Sequence, residues 1–172
     1  NKVVQSMKDI KWDEQPALSS QYKEIEIEIR KPSQEELAAA KKLLSATDYR
    51  KIQIVDTGNL KKIYAREQVL LNEFGNVIYF PVQAIKIGKI IIGGLGGEIF
   101  AATGLSLKQS RGDAHYFTIS LANGNAGYIP PEKEFALGGY ETWRCRTSHL
   151  EINAENKIRD TLKKFINSLS DL

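Results

Sequence analysis

The chain has 172 residues and a mass of 19.3 kDa, which suits one domain with one core, at about 100–200 residues per domain. Its 24 Lys+Arg against 21 Asp+Glu leave a formal charge of +3, and the basic residues are spread along the chain, so nucleic acid is not the expected partner. With 42% hydrophobic and 26% charged residues the chain is too apolar for a disordered tail, and no stretch approaches the roughly 18 apolar residues of a membrane-spanning helix.

Residues 1–20 mix Lys2, Lys8, Asp9, Asp13 and Glu14 without an apolar segment. They are expected to form an irregular linker or surface segment, anchored by Trp12, and to carry no signal peptide. The first residue is Asn1 rather than Met, as expected of a chain that is processed, trimmed or cut from something longer, and residues 21–172 are expected to form the main folded portion. From Tyr22 to Ile29 the sequence alternates, with Ile25, Ile27 and Ile29 on one side and Glu24, Glu26 and Glu28 on the other, the pattern of a half-buried strand. Lys31-Pro32 ends it. Ser33 with Glu36 three residues later is a capping-box signature, and the apolar residues through Leu44 predict a helix of about three turns.

A second helix is predicted from the helical spacing of Leu60, Ile63, Tyr64, Leu70, Leu71 and Phe74, punctuated by Gly58 before and Gly75 after. Val77 to Ile87, the turn Gly88-Lys89 and Ile90 to Ile92 read as a β-hairpin. Tyr116 to Leu121 reads as a further strand, and Ile158, Leu162, Phe165, Ile166 and Leu169 recur at the spacing of a closing amphipathic helix. The fold class is therefore α/β or α+β, a mixed sheet layered with helices.

Three segments could carry chemistry. Gly93-Gly94-Leu95-Gly96-Gly97-Glu98 leaves a predicted strand and leads toward a helical stretch through Leu107. It lacks the Gly-Lys-Ser/Thr of a phosphate loop, and Ile99 stands where a dinucleotide fingerprint needs Gly or Ala. Its glycines permit the close approach of another segment, so Glu98 either enters a crowded site or caps the following helix. Leu121 to Pro131 is a loop full of turn formers, in which Tyr128 is either a rim aromatic with its hydroxyl in water or part of a site. Phe135 to Thr142 repeats glycine, aromatic and acid, making Tyr140 and Glu141 candidates for a pocket wall. His115 and His149 sit in no metal-binding spacing, the lone Cys145 excludes a disulfide framework, and nothing local activates its thiol toward His149.

Taken together, Pro81 to Gly88, Gly94-Leu95-Gly96-Gly97-Glu98, Leu121-Ala122-Asn123 through Tyr128 and Gly139-Tyr140-Glu141 resemble, in order and spacing, successive blocks of the neutral/alkaline, non-lysosomal ceramidase family. That resemblance implies the C-terminal part of a larger zinc-dependent catalytic domain, whose reaction splits ceramide into sphingoid base and fatty acid by water attack on the N-acyl bond. It implies Glu98 and Tyr128 as zinc ligands, Tyr140 as the catalytic residue near the substrate carbonyl, and Asn123 and Glu141 as substrate-binding residues. It further implies an N-acyl lipid as substrate, the upstream part of the same domain as partner, contact with a membrane surface, and a periplasmic or secreted location. Two departures accompany it. Gly96 replaces the family's usual proline, and the two histidine ligands of the family's upstream half have no counterpart in His115 or His149. The chain in isolation is accordingly expected to be inactive. Two other readings stay open: a related amidohydrolase acting on a non-ceramide amide, or a non-catalytic binding domain with an incomplete metal site.

Overall fold

The structure is a computed structural model that describes residues 2–8, 10–52, 59–111 and 115–170. A four-stranded mixed sheet runs in the order β1-β2-β3-β5, with β1 at Leu18–Glu28, β2 at Val77–Ile87, β3 at Ile90–Leu95 and β5 at Tyr116–Ser120. β1 and β2 are antiparallel, β2 and β3 form the expected hairpin around Gly88 (φ 56°), and β5 joins β3 in parallel. Between β3 and β5 come the two-residue strand β4 at Glu98–Ile99 and the helix α4 at Ala101–Arg111. A crossover through a helix is what a parallel neighbour requires.

Alternation places Ile27 of β1, Phe80, Val82 and Ala84 of β2, Ile91 and Leu95 of β3 and Tyr116 of β5 on one face of the sheet, all buried. The helix α6, Ala154–Ser170, lays Ile158, Leu162, Ile166 and Leu169 onto that face, and α4 adds Leu107 beside it. Each of these α6 side chains, almost wholly removed from water, contributes about 1.5–3 kcal/mol of transfer free energy. At Gly93 the sheet lies close against α6. A Cβ there would lie 2.9 Å from Leu162 Cδ2 and would collide with the Tyr116 hydroxyl, itself 2.8 Å from Thr118 Oγ1.

The capping box forms as the sequence predicts. Ser33 Oγ accepts from Glu36 N at 3.1 Å and Glu36 Oε2 accepts from Ser33 N at 2.7 Å, starting α2 at Gln34–Leu44. The second predicted helix is α3, Leu60–Asn72, while Gly58 lies outside the described residues. α2 and α3 build a small core of their own from Leu37, Ala40, Leu44, Ala65 and Val69. The remaining elements are the short helix α1 at Lys2–Lys8, a single 3-10 turn at Tyr49–Lys51, the two-residue strand β6 at Tyr128–Ile129 and α5 at Glu132–Leu137.

The N-terminal expectation needs correcting on three points. Lys2–Lys8 is helical although it buries no residue, β1 begins at Leu18 rather than Tyr22, and Trp12 anchors nothing, being 85% exposed. Among the described residues no helix is long and apolar enough to cross a membrane.

Candidate functional site

The site grows from the exit of β3. Gly96 and Gly97 are glycine because another segment lies directly against their backbone. A Cβ on Gly97 would sit 2.5 Å from Ile129 Cδ1 and 2.9 Å from the Gly127 carbonyl, and one on Gly96 would sit 3.4 Å from the Gly124 Cα. The approaching segment, 121–129, is tied down by backbone hydrogen bonds from Leu121 N to Gly97 O (3.1 Å) and from Ala126 N to Gly96 O (2.8 Å). Its sharp course uses left-handed backbone at Leu121 and Asn123 (φ 58° and 61°), the second a residue type that tolerates this conformation. Asn125 Oδ1 then accepts from Gly127 N at 3.0 Å, an Asx turn that delivers the chain into β6.

There β4 and β6 pair in parallel, with Glu98 beside Tyr128 and Ile99 beside Ile129. Glu98 N donates to Gly127 O at 2.8 Å and Tyr128 N donates to Thr147 O at 2.9 Å, so β6 is held from both sides. Register partners on neighbouring strands project to the same face. With Ile129 buried in the core, Glu98 and Tyr128 turn together to the opposite face, where both are half-buried. The alternative in which Glu98 caps the next helix is thereby corrected, since α4 starts only at Ala101 and Glu98 is engaged in a strand.

Tyr140 completes the cluster. Its ring meets that of Tyr128 edge-on, with centroids 5.5 Å apart and planes at 81°. The neighbouring Tyr140 hydroxyl, partial burial and the charge of Glu98 push the Tyr128 phenol up to about 12. The Tyr128 ring is thus half-buried and packed edge-on against that of Tyr140. The turn that presents Tyr140 uses positive φ at Gly138 and Gly139 (78° and 108°) and closes through Thr142, whose Oγ1 donates to Gly139 O at 2.8 Å.

The two substrate-binding candidates lie on the same loops. Asn123 Nδ2 donates to Gln83 Oε1 at 2.5 Å, which ties its amide to β2. Glu141 folds its carboxylate back toward Gly139, where a Cβ would lie 2.9 Å from Oε2, and its carbonyl accepts from Ser148 Oγ.

The structure adds a residue that sequence reasoning missed. Arg30, just past β1, donates from Nε to Leu150 O (2.7 Å), from Nη1 to Thr142 O (3.1 Å) and from Nη2 to Ser148 O (2.8 Å), and stacks over the Phe135 ring at 4.8 Å. One guanidinium thus gathers the whole stretch that carries Tyr140 and Glu141. Burial, with repulsion from Arg144, brings it down to about 10. Nothing in the periodicity around Arg30 marks it, because its partners are carbonyls more than a hundred residues away.

Neither histidine joins the site. His149 is buried, its Nδ1 lies 2.9 Å from Arg146 O, and its ring packs edge-on against Phe74, while His115 is exposed at the start of β5. Cys145 and His149 make no nucleophile pair, since the thiol is engaged 3.3 Å from Thr147 Oγ1. Among the described residues no three His, Cys, Asp or Glu side chains gather as a metal site. Glu98 and Tyr128 offer a carboxylate and a phenol side by side, oxygen donors suited to a divalent cation but one short of the three protein ligands that a catalytic zinc usually has. A cavity of about 590 Å³ lies elsewhere, bordered by Thr103, Ser106, Glu132 and Asn156, and its buried carboxylate, Glu155, is already paired with Thr103 and Arg159.

No family model and no curated protein sequence matches the chain. Among solved structures it is similar to the neutral ceramidase from Pseudomonas aeruginosa, with 18% identity and a TM-score of 0.52 over 90% of this chain and 29% of that one. It is also similar to a ceramidase complexed with C2, with 16% identity and a TM-score of 0.53 over 90% of this chain and 30% of that one. The chain thus spans less than a third of the length of either structure, and the likeness shows that it has the fold of a neutral ceramidase region.

Proposed function

We propose that this chain supplies the carboxylate–phenol half of a zinc site in an amide hydrolase of the neutral ceramidase type. The observation that carries the reading is the register pairing of Glu98 with Tyr128, with Tyr140 against the second of them. The shared fold supports it. Glu98 and Tyr128 would hold the metal together with ligands from outside the chain. When bound, zinc supplies a water acidified to a pKa of about 7 and polarises the scissile carbonyl. Tyr128 and Tyr140 keep two hydroxyls on one face, where a protonated phenol can donate to the oxygen that gains charge as the amide is attacked. Asn123 and Glu141, on the flanking loops, orient the substrate, an N-acyl lipid such as ceramide. The nucleophile is water and no acyl-enzyme forms. The same reading carries a periplasmic or secreted location at a membrane surface, and leaves the chain alone without activity.

A binding domain without hydrolysis is the second reading. What favours it is that the described residues gather no three-ligand metal cluster. An amidohydrolase acting on a different amide would share every residue role above.

The deciding measurement is zinc per molecule after dialysis, with turnover of an N-acyl sphingoid lipid, for the protein at its full natural length beside Glu98→Ala and Tyr128→Phe. About one zinc, lost in Glu98→Ala together with turnover, supports the hydrolase. Zinc absent from the parent protein, or zinc and turnover unchanged by both substitutions, rejects it.

A further inference from the structure

Among the described residues, no helix packs on one face of the four-stranded sheet. α4 and α6 both pack on the face built by Phe80, Val82, Ile91 and Leu95, and α2 and α3 build a core of their own. The opposite face presents Tyr79, Ile87, Ile90, Ile92, Phe117 and Ile119, and the register makes them contiguous, with Ile87 beside Ile90 and Ile92 beside Phe117. Tyr79 is 64% exposed, Phe117 48% and Ile119 45%. Soluble monomers seldom leave a connected apolar patch of more than a few hundred Å² open to water.

Two features identify what covers it. Along β1 the same face is bordered by Glu24, Glu26 and Glu28, all exposed. That acidic row opposes a bilayer of anionic headgroups, and a second copy of the chain would bring another acidic row to a face whose strands carry no Lys or Arg on that side. The other end of the face runs into the site. Gly94 lies against Ala122, at 3.3 Å from a would-be Cβ, and Gln83 holds Asn123, so the loop that leads to Tyr128 closes the upper edge of the apolar surface.

We infer that the part of the catalytic domain outside this chain docks on this face as a second layer. It would have an apolar centre and a basic row over β1, and the surface would lead it to the Glu98–Tyr128 pair. The inference rests on reading the chain as part of a larger hydrolase domain, and the chain spans only 29% and 30% of the two ceramidase structures it resembles. A layer seated here would bring side chains from the rest of such a domain to the end of β3, beside the two oxygen donors.

The test is thiol labelling of Phe117→Cys and Ile119→Cys, each with Cys145→Ser, in the protein at its full natural length. The native rate is compared with that of the same variant unfolded in urea, while sedimentation reports mass and elemental analysis reports zinc. Labelling at least about tenfold slower in the native monomer, without lipid, is the expected result. Native rates close to the unfolded ones overturn the inference. So does protection that appears only on dimerisation or only with phosphatidylcholine vesicles. If either variant fails to fold, Tyr79→Cys on the same face carries the same comparison. Free labelling with zinc retained defeats the docking face and spares the hydrolase reading, whereas protection without zinc does the reverse.

Discussion

Glu98 and Tyr128 are register partners on two strands of two residues each, so a carboxylate and a phenol from distant parts of the sequence share one face of a parallel bridge. The pairing leaves them little independence, because a shift of one residue in either strand would turn its side chain toward the core. Glycines that admit the second segment, and Arg30 that gathers the third, serve the same cluster.

The Tyr128 phenol reports on this cluster directly. Without metal it titrates at about 12, raised first by Tyr140 and further by burial and Glu98. Removing either neighbour lowers it, so Tyr140→Phe and Glu98→Gln should each ionise Tyr128 at lower pH than the parent chain. Carbon-13 NMR of ring-labelled tyrosine, with the signal assigned through Tyr128→Phe, measures this. An unmoved titration in both variants would place the three side chains apart.

Gly97→Ala should break the bridge at its base. The added Cβ meets Ile129 Cδ1 at 2.5 Å and the Gly127 carbonyl at 2.9 Å, and the carbonyl is the acceptor for Glu98 N. Overpacking of this kind costs about 1–3 kcal/mol. Urea unfolding reads the loss, and Gly104→Ala inside α4, where a Cβ meets nothing closer than 3.9 Å, is the comparison that should instead gain about 0.5–1 kcal/mol from helix propensity.

Arg30→Met keeps the apolar stem and removes the fork. The carbonyls of Thr142 and Leu150 lose the guanidinium donor in a partly buried setting and that of Ser148 keeps only Cys145 N (3.2 Å), for a cost of roughly 2–4 kcal/mol. Hydrogen exchange should quicken at Thr142 and Ser148, whose amides close the turns carrying Tyr140 and its neighbours. Unchanged exchange there would mean the loop holds itself.

Acid should weaken the fold in two stages. Burial holds the His149 ring below its usual value, so its contribution is fully present above an unfolded pKa of about 6.5 and is lost as pH falls through the lowered folded value. Burial pushes the Glu67 carboxyl up, but Arg146 and Arg66 outweigh it and hold the group below the ordinary carboxylate range. Its contribution is present above about pH 4.3 and is lost as pH falls through its lowered folded value. Urea midpoints against pH should therefore decline first below about 6.5 and again below about 4.3. Glu67→Gln should flatten the second decline and leave the first.

Much of this was legible in the sequence, and the reasons are local. The Ile/Glu alternation of β1, the Ser33–Glu36 box, the Gly88-Lys89 turn and the spacing of α6 each express a physical rule within a short window, and each formed. Glu98, Tyr128 and Tyr140 could be singled out by their glycine-rich surroundings and by family resemblance, and the fold brings them together. Two-residue strands are too short for any periodicity, so the bridge that joins Glu98 to Tyr128 had no local signal. Nor had Arg30, whose role depends on long-range backbone acceptors, or α1, which is only seven residues long and buries none of them.

The strand order also dictates when the fold can close. β1 must wait for β2, which is made only after the entire α2–α3 hairpin, and the core over both strands needs α6 near the other end of the sequence. Local helix pairing precedes such long-range closure, because the entropy of closing a long loop is lost before its contacts form. During synthesis β1 is therefore an orphan edge, the kind of strand that recruits neighbouring chains. Its alternate glutamates repel a second copy along its length, so the pattern that half-buries the strand in the finished sheet also guards it against aggregation while it waits.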